Sequence, residues 1–239
     1  MAKNLSRRLN TCLNALSSVS RIADIGTDHA YLPCEGISKG VIDSAIAIDV
    51  IDGPLAQAKA TITDYGLGDK IEIRKGSGFE PLVVGEVEGV VIAGMGGKLI
   101  AQLLADSLPI AQSMQLLVFQ PQGGEYTLRQ FLFSNDFEIV DEQLIEEEGI
   151  IYTIIVAKPT EKEAYINQLD LTFGPILRRN LQNELFVKKW MDELSAIDAV
   201  LNQIPVDNPK HDEFQETKKL IEDVLAGAVN ERNYIFSRT

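Results

Sequence analysis

The most constraining feature of the chain is a series of seven β-type runs, most of them separated by stretches with helical periodicity. The predicted strands cover residues 21–25, 44–50, 70–75, 89–93, 116–120, 137–145 and 150–158. Predicted helices cover residues 1–18, 31–39, 54–65, 97–106 and 126–134. Strands joined through helices form right-handed crossovers and a parallel sheet. Only Glu146-Glu147-Glu148-Gly149 joins the last two strands, which predicts a β-hairpin, so six strands run parallel and the seventh antiparallel.

From residue 160 onward the sequence pattern is helix only. Two series of apolar residues at three- and four-residue spacing flank a proline-rich break and predict an antiparallel coiled-coil hairpin. We therefore divide the chain into an α/β domain over residues 1–159 and a helical domain over residues 160–239. The seam of the hairpin suits docking on the first domain and on a second subunit equally well. The two series are Val187, Trp190, Leu194, Ile197, Leu201, Ile204 and Phe214, Thr217, Ile221, Val224, Ala228.

This layout is typical of class I S-adenosylmethionine-dependent methyltransferases, whose sheet is Rossmann-like, because plain dinucleotide-binding folds lack the terminal hairpin. The net charge of −13 argues against a nonspecific nucleic-acid coat, so an RNA contact needs a clustered basic face. The apolar runs are too short to span a bilayer, and the two cysteines and two histidines form neither a disulfide framework nor a metal-ligand pattern. We expect a cytoplasmic protein with no membrane or metal partner.

The turn after the first strand is the first candidate binding site. Asp24 is followed by a tight turn at Gly26, which we expect to bring backbone amide groups toward a nucleotide-like cofactor. Asp49 ends the next strand, where a carboxylate can accept the two hydroxyl hydrogens of a ribose. A structural role is the alternative in both places, with Thr27 or Asp28 as a helix N-cap and Asp49 as the cap of the following helix.

Two further loops are expected to face the same site. Ser77 follows the third strand, where methyltransferases commonly have an adenine-contacting Asp. Gly94-Met95-Gly96-Gly97-Lys98 follows the fourth strand and fits neither a phosphate loop nor a GxGxxG fingerprint, because Leu99 stands where each requires another residue type. We interpret it as a side-chain-poor loop open to a flat base or the cofactor; close helix–strand packing is a compatible alternative. Gln120 ends the fifth strand with an amide expected at the same rim.

Four motifs carry a specific family resemblance: Leu5-Ser6-Arg7-Arg8-Leu9, the run 23–33, the run 92–97, and Gln120-Pro121-Gln122. Their combination resembles the bacterial tRNA (adenine-N1)-methyltransferases that act on adenine 22 in the D-arm region. The resemblance extends from end to end of the chain and implies the same two-domain division. It implies transfer of a methyl group from S-adenosylmethionine to N1 of that adenine in tRNA.

The resemblance also implies site residues. From their position at the first turn we predict Asp28 and His29 as the catalytic residues, with Asp28 either stabilising the developing cationic product or holding only the ammonium group of the cofactor. The chain departs from the family at Ser77, where Asp is frequent, and at Gln122, where Asn is common. The resemblance implies a cofactor site formed by Asp24, Gly26, Asp28 and Asp49 with the loop 94–97. The full cofactor set that we predict adds Ser77, Gly94 and Met95, and the predicted substrate set is Arg7, Arg8, Gly96, Gln120 and Pro121.

The chemistry of adenine sets the demands on this site. N1 carries an in-plane lone pair, so catalysis can rest on alignment and electrostatics without a strong base. N1 also lies on the Watson–Crick edge, so the base must be unpaired or flipped out. We expect phosphate contacts from Lys3, Arg7 and Arg8, and a second cluster that equally suits solvated helix faces: Arg178, Arg179, Lys188 and Lys189. A methyltransferase of small molecules or proteins, and a non-catalytic cofactor-binding protein assembling through its coiled coil, are the rival interpretations.

Overall fold

A seven-stranded mixed sheet forms the centre of the protein. The computed structural model describes residues 5–162, 166–227 and 235–236. The sheet order is β3-β2-β1-β4-β5-β7-β6, and β7 runs antiparallel to both of its neighbours. The predicted arrangement of six parallel strands and an antiparallel seventh is therefore confirmed. The strands are β1 (Arg21–Ile25), β2 (Ser44–Asp49), β3 (Ile71–Lys75), β4 (Gly89–Met95), β5 (Leu116–Pro121), β6 (Phe137–Glu147) and β7 (Ile150–Pro159).

Helices cover both faces of this sheet. The predicted first helix is shorter than expected, because Ser6 caps its amino end by accepting a hydrogen bond from the backbone N–H of Leu9; residues 1–4 of the predicted helix lie outside the described residues. A short helix after α4 was not predicted. The helices are α1 (Arg7–Ala15), α2 (Tyr31–Ser38), α3 (Asp52–Asp64), α4 (Gly97–Asp106), α5 (Leu108–Ala111) and α6 (Glu125–Ser134).

Alternate residues of the central strands supply two separate hydrophobic cores. In β1, Ala23 and Ile25 belong to the core on one face, whereas Ile22 belongs to the core on the other. Strands buried on both faces have near-continuous apolar sequences, which is why β1, β2, β4 and β5 were recognisable. Polar groups then concentrate where these strands end, and this edge of the sheet carries the candidate site.

The helix-only prediction for the region after residue 159 is wrong in one respect. A two-stranded ribbon pairs β8 (Ile166–Asn167) with β9 (Ile235–Phe236), a non-local pairing that leaves no periodic signal in segments so short. The rest of the described region is helical: α7 (Gln168–Phe173), a 3-10 turn (Leu177–Arg179), α8 (Glu184–Leu201) and α9 (Pro209–Leu225).

Helices α8 and α9 pack on each other through most of the predicted apolar positions, but Val187 is exposed and the prediction is wrong there, because the neighbouring Phe186 is the buried residue. Ile197 and Ile221 are buried in one cluster that also contains Phe173 and Phe186, and Leu144 of β6 packs against it. The helix pair therefore docks on the sheet domain, which is one of the two arrangements that the sequence left open. Coiled-coil supercoiling and a second subunit remain predictions, and Ala228 of the predicted series lies outside the described residues.

His211 is one of the two histidines of the chain, and its side chain is largely buried. It lies in the first turn of α9, and its side chain is only 14% exposed. Within the described ranges, no helix is long and apolar enough to cross a membrane, and the same residues contain no group of three or more metal-ligating side chains.

Candidate active site

A cleft of about 430 Å³ opens at the carboxyl ends of β1, β2 and β4. It lies where the strand order reverses, since β1 has β2 on one side and β4 on the other. Open α/β sheets bind ligands at this switch point because the two flanking crossover loops diverge there. The cleft brings together six of the seven predicted cofactor residues; Ser77 is absent from its lining. The lining residues are Arg8, Leu9, Asp24, Gly26, Thr27, Asp28, His29, Tyr31, Leu32, Asp49, Ala93, Gly94 and Met95.

Gly26 shapes the floor of the cleft through its backbone conformation. Its φ is +75°, in the left-handed region that glycine enters without steric penalty. A Cβ atom at this position would overlap the terminal Cε of Met95. A side chain here would therefore displace Met95 and close space between the first and fourth strands.

The amide groups of the Gly26 turn are directed differently from the prediction. The N–H groups of Gly26 and Thr27 both donate to the carbonyl oxygen of Ile48, at 2.8 and 3.0 Å. They are therefore used to tie the turn to β2 and do not point at a ligand. The N-cap alternative is also wrong, because α2 starts after Ala30, without a side-chain cap.

Asp24 is a carboxyl group held almost out of water. It is 6% exposed and accepts a hydrogen bond from the Thr27 hydroxyl at 2.7 Å. Burial raises the pKa of Asp24 to about 6; the Thr27 bond opposes this rise, while the charges of Asp49 and Asp28 add to it. The cleft therefore contains three carboxyl groups close enough to influence one another, which favours a ligand with positive charge.

Asp28 and His29 project from a strained loop at the mouth of the cleft. Asp28 and Ala30 both have left-handed φ values, +50° and +56°, which non-glycine residues rarely adopt. The Asp28 side chain is 71% exposed, and its carboxylate lies 3.5 Å from Nε2 of His29. The His29 ring stacks on Tyr31, with 5.2 Å between centroids. Such strain concentrates at functional sites, and here it presents a carboxylate and an imidazole side by side.

Asp49 combines the predicted ligand position with a local structural role. Its Oδ1 accepts the backbone N–H of Ile51 at 2.9 Å, a local turn just before α3. The N-cap of α3 is Ile51 and no side chain caps it, so the prediction that Asp49 caps this helix is wrong. The residue still lines the cleft and remains partly exposed. Val50 and Ile51, directly after it, are exposed apolar side chains that do not line the cleft.

Of the two other predicted loops, the one after β4 lines the cleft and the one that contains Ser77 does not. Ser77 is exposed, and its N–H donates weakly to Glu80 at 3.4 Å. Gly96 is the exposed residue at the start of α4. Gly97 is required by close packing, because a Cβ there would overlap the carbonyl of Gly124. The packing alternative is thus correct for Gly97, while Gly94 lines the cleft.

Gln120 was expected at the rim of the site, and this expectation is wrong. Its side chain is completely buried; its oxygen accepts from the guanidinium of Arg8, and its amide nitrogen donates to the carbonyl of Pro121. Arg8 lines the cleft, while Arg7 is exposed and its backbone N–H donates to Glu147 at 2.7 Å. Gln120 therefore holds Arg8 in place from beneath the surface, a pairing between residues 112 positions apart that no local pattern indicates.

The predicted basic footprint is largely neutralised by the protein's own acids. Arg178 pairs with Asp170, Lys188 with Glu146, and Lys189 with Glu125. Arg179 is exposed, and Lys3 lies outside the described residues. The C-terminal cluster is thus not a set of free cations.

Comparison with known proteins identifies the family. The sequence model described as tRNA (adenine(22)-N(1))-methyltransferase matches residues 22–227. The chain belongs to this family. The tRNA (adenine(22)-N(1))-methyltransferase of Bacillus subtilis (strain 168) is 33% identical over 220 residues, which are 90% of this chain and 92% of that protein.

Solved structures of tRNA (adenine(22)-N(1))-methyltransferases and their relatives share the fold. Streptococcus pneumoniae Sp1610, in complex with S-adenosyl-L-methionine, is 32% identical with a TM-score of 0.85, covering 93% of this chain and 100% of that one. M. capricolum TrmK, in complex with the cofactor product S-adenosyl-homocysteine, is 26% identical with a TM-score of 0.84, covering 94% and 99%.

The residues of this family member's cleft fit such a cofactor. The methionine part of S-adenosylmethionine carries an ammonium group and a sulfonium, both attracted by carboxylates, and Asp24, Asp28 and Asp49 all line the cleft. The backbone cradle at Gly26 is space that a Cβ would fill.

Proposed function

We propose that this protein transfers a methyl group from S-adenosylmethionine to N1 of adenine 22 in tRNA. The observation that carries the proposal is the carboxylate-lined cleft at the sheet's switch point, in a chain that matches the tRNA (adenine(22)-N(1))-methyltransferase family over residues 22–227. When bound, the cofactor supplies an electrophilic methyl group. The protein must supply alignment, a water-poor site and electrostatic stabilisation of the reacting base.

The cofactor-binding set we propose is Asp24, Gly26, Asp28, Asp49, Gly94 and Met95, with Ser77 at its outer edge. Asp24 and Asp49 supply carboxylates at two neighbouring strand ends, and Gly26 and Gly94 keep the space between them free of side chains. Ser77 follows Gly76, whose N–H donates to the carbonyl of Asp49 at 3.1 Å. This contact supports a position for Ser77 beside the ribose carboxylate.

Asp28 is the proposed catalytic residue, with His29 beside it. Methylation at N1 turns a neutral adenine into a cation at neutral pH, so a carboxylate near the base favours the transition state. Asp28 is exposed at the mouth of the cleft, where an incoming base meets the cofactor site. His29, stacked on Tyr31 and next to Asp28, holds that carboxylate in place.

On the substrate side we propose that Arg7 contacts RNA phosphate, and that Arg8, Gly96 and Pro121 lie against the nucleotide. Arg7 is exposed on α1, and Gly96 leaves the start of α4 without a side chain. Gln120 acts indirectly, through its bond to Arg8. Phosphate contacts by cations make RNA binding salt-dependent.

Three further features of the sequence stay as proposals. We propose the division into a methyltransferase domain over 1–159 and a helical domain over 160–239, and a cytoplasmic location, where tRNA is modified. Self-association through the α8–α9 pair is supported by exposed Val187 and Met191, one helical turn apart on α8. Sedimentation of the wild type and the Met191→Glu variant over a range of concentrations tests the last of these.

The function is tested with purified protein, labelled S-adenosylmethionine and tRNA transcripts, followed by nucleoside analysis. We expect 1-methyladenosine in a transcript with adenine at position 22 and none when guanine replaces it. Pools of protein and of small metabolites serve as competing substrates. Label entering those pools, or 1-methyladenosine persisting in the guanine transcript, contradicts the proposal.

A further inference from the structure

A second cavity of about 360 Å³ lies beside the cofactor cleft, between the end of β5 and the start of β7. Among the described residues, none lines both cavities. Its volume is at the small end of the range for ligand pockets and suits one flat base such as a fused two-ring purine. The lining residues are Pro121, Gln122, Gly123, Glu125, Ile150, Ile151, Tyr152 and Thr153.

One wall separates this cavity from the cofactor cleft. Arg8 lines the cleft and Tyr152 lines the second cavity, and the guanidinium carbon of Arg8 lies 5.4 Å from the centroid of the Tyr152 ring. Gln120 and Glu147 hold Arg8 from two other directions. The wall is thus a cation–π pair whose cation is fixed by its own partners.

The two cavities also approach each other at Gly94. The N–H of Gln122, in the second cavity, donates to the carbonyl of Met95, in the cleft, at 2.8 Å. A Cβ built on Gly94 would lie 3.9 Å from the side-chain nitrogen of Gln122. Because Gly94 has no side chain, little separates the two spaces at this point.

The lining of the second cavity combines flat apolar walls with a polar interior. Pro121, Ile151 and Tyr152 supply the apolar surface, and Ile150 at the rim is 55% exposed. Glu125 accepts from the Thr153 hydroxyl at 3.1 Å and from the Lys189 ammonium at 2.7 Å. Burial raises the pKa of Glu125, but the charge and hydrogen bond of Lys189 outweigh this effect and lower it overall. An ionised carboxylate only accepts hydrogen bonds, as the exocyclic amine of adenine requires.

We propose that this second cavity receives the flipped-out adenine of the tRNA, with the Tyr152 ring as its stacking wall and Arg8 fixing that ring. The inference rests on the proposed function. A base whose Watson–Crick edge reacts must leave its helix, and stacking on an aromatic ring compensates for the lost stacking. From this cavity, the reacting edge faces the cofactor cleft across Gly94 and Gln122.

The test uses a tRNA with 2-aminopurine at position 22, whose fluorescence reports stacking, together with steady-state methylation of the unmodified transcript. Tyr152→Phe keeps the ring, and we expect kcat/KM for tRNA within about twofold of the wild type. Tyr152→Ala removes the wall, and we expect kcat/KM to fall about tenfold or more and the fluorescence change on binding to disappear. The dissociation constant of S-adenosylmethionine, measured by calorimetry, stays within about twofold, since Tyr152 does not line the cleft.

Two further variants separate this role from general effects. Tyr126→Ala removes an exposed tyrosine of α6 that does not line the second cavity, and it leaves kcat/KM unchanged. Ile150→Glu at the exposed rim keeps the fold and lowers kcat/KM for tRNA, whereas Val84→Glu, an equal charge change at an exposed site outside both cavities, does not. Unchanged kcat/KM and fluorescence in Tyr152→Ala and Ile150→Glu overturn the inference. A wild type that fails to methylate tRNA at all overturns the proposed function instead.

Discussion

The guanidinium of Arg129 lies 2.8 Å from the carboxylate of Glu142, and the two side chains are 2% and 0% exposed. The same guanidinium donates to the carbonyls of Leu171 and Thr172, and the second oxygen of Glu142 accepts the N–H of Ile176 at 3.0 Å. This buried pair therefore joins α6 and β6 to the segment that leads into α8. It sets where the helical region attaches to the sheet.

Removing one partner of this pair should destabilise the fold strongly. In Glu142→Ala the Arg129 charge stays buried without a counter-charge, which costs about 3–5 kcal/mol. Urea unfolding of the variant measures the loss. The exposed pair of Lys75 and Asp52 is the control, since Asp52→Asn should change the free energy of unfolding by less than about 1 kcal/mol. Equal effects in the two variants contradict the assigned role.

Gly26→Ala should impair cofactor binding beyond its effect on stability. The left-handed φ of Gly26 costs an L-residue about 1–2 kcal/mol, and the new methyl group also displaces Met95 into the cleft. Gly66→Ala is the matched control, because Gly66 has φ +67° and open space around a built Cβ. We expect similar losses of thermal stability, with weaker S-adenosylmethionine binding in Gly26→Ala alone. Equal cofactor affinities in the two variants are the contrary result.

Asp24 should make stability fall as the pH rises from about 4 to about 6. Its pKa is raised to about 6, so over this interval the folded state holds a proton that the unfolded state has released. The free energy of unfolding decreases by about 3 kcal/mol at most, and the loss persists above pH 6. Asp24→Asn removes this dependence and is more stable than the wild type at pH 8. Parallel stability–pH curves for the two proteins contradict the prediction.

The same titration should govern cofactor affinity. The ammonium group of S-adenosylmethionine favours a charged Asp24, so affinity weakens as the pH falls through about 6, by about tenfold per unit. Calorimetric titrations between pH 5 and 8 measure the slope. In Asp24→Asn the affinity for S-adenosylmethionine is weak and does not change with pH. If the variant's affinity still depends on pH, the effect belongs to another group.

Asp28→Asn should separate catalysis from cofactor binding. Asn tolerates the left-handed φ of +50° and keeps the hydrogen-bonding shape, so only the charge is lost. If the carboxylate stabilises the cationic product, kcat falls about 100-fold while the cofactor's dissociation constant changes by less than about threefold. A raised dissociation constant with unchanged kcat shows that Asp28 only holds the cofactor.

Local patterns were sufficient for the central strands because β1, β2, β4 and β5 are buried on both faces and bounded by turns. The predicted bounds of β1 are identical to those observed, and β2 and β3 differ by one residue each. The carboxylates Asp24 and Asp49 were placed in one cleft for the same reason, since parallel strands bring their carboxyl ends to one edge. The short pairing of β8 with β9 was not predicted, because a strand of two residues has no detectable periodicity.

The sequence by itself determined the order of the elements, the antiparallel seventh strand and the acidic residues at the site, since periodicity, turn chemistry and chain connectivity are local properties. Only the tertiary structure decided which polar groups remain available. The Gly26 and Thr27 amides are bound to Ile48, and Gln120 is buried beneath Arg8. It also placed Tyr152 of β7 against Arg8 of α1, forming the wall of a second cavity. These contacts join residues far apart in the chain, and their geometry is fixed by packing, which no local pattern encodes.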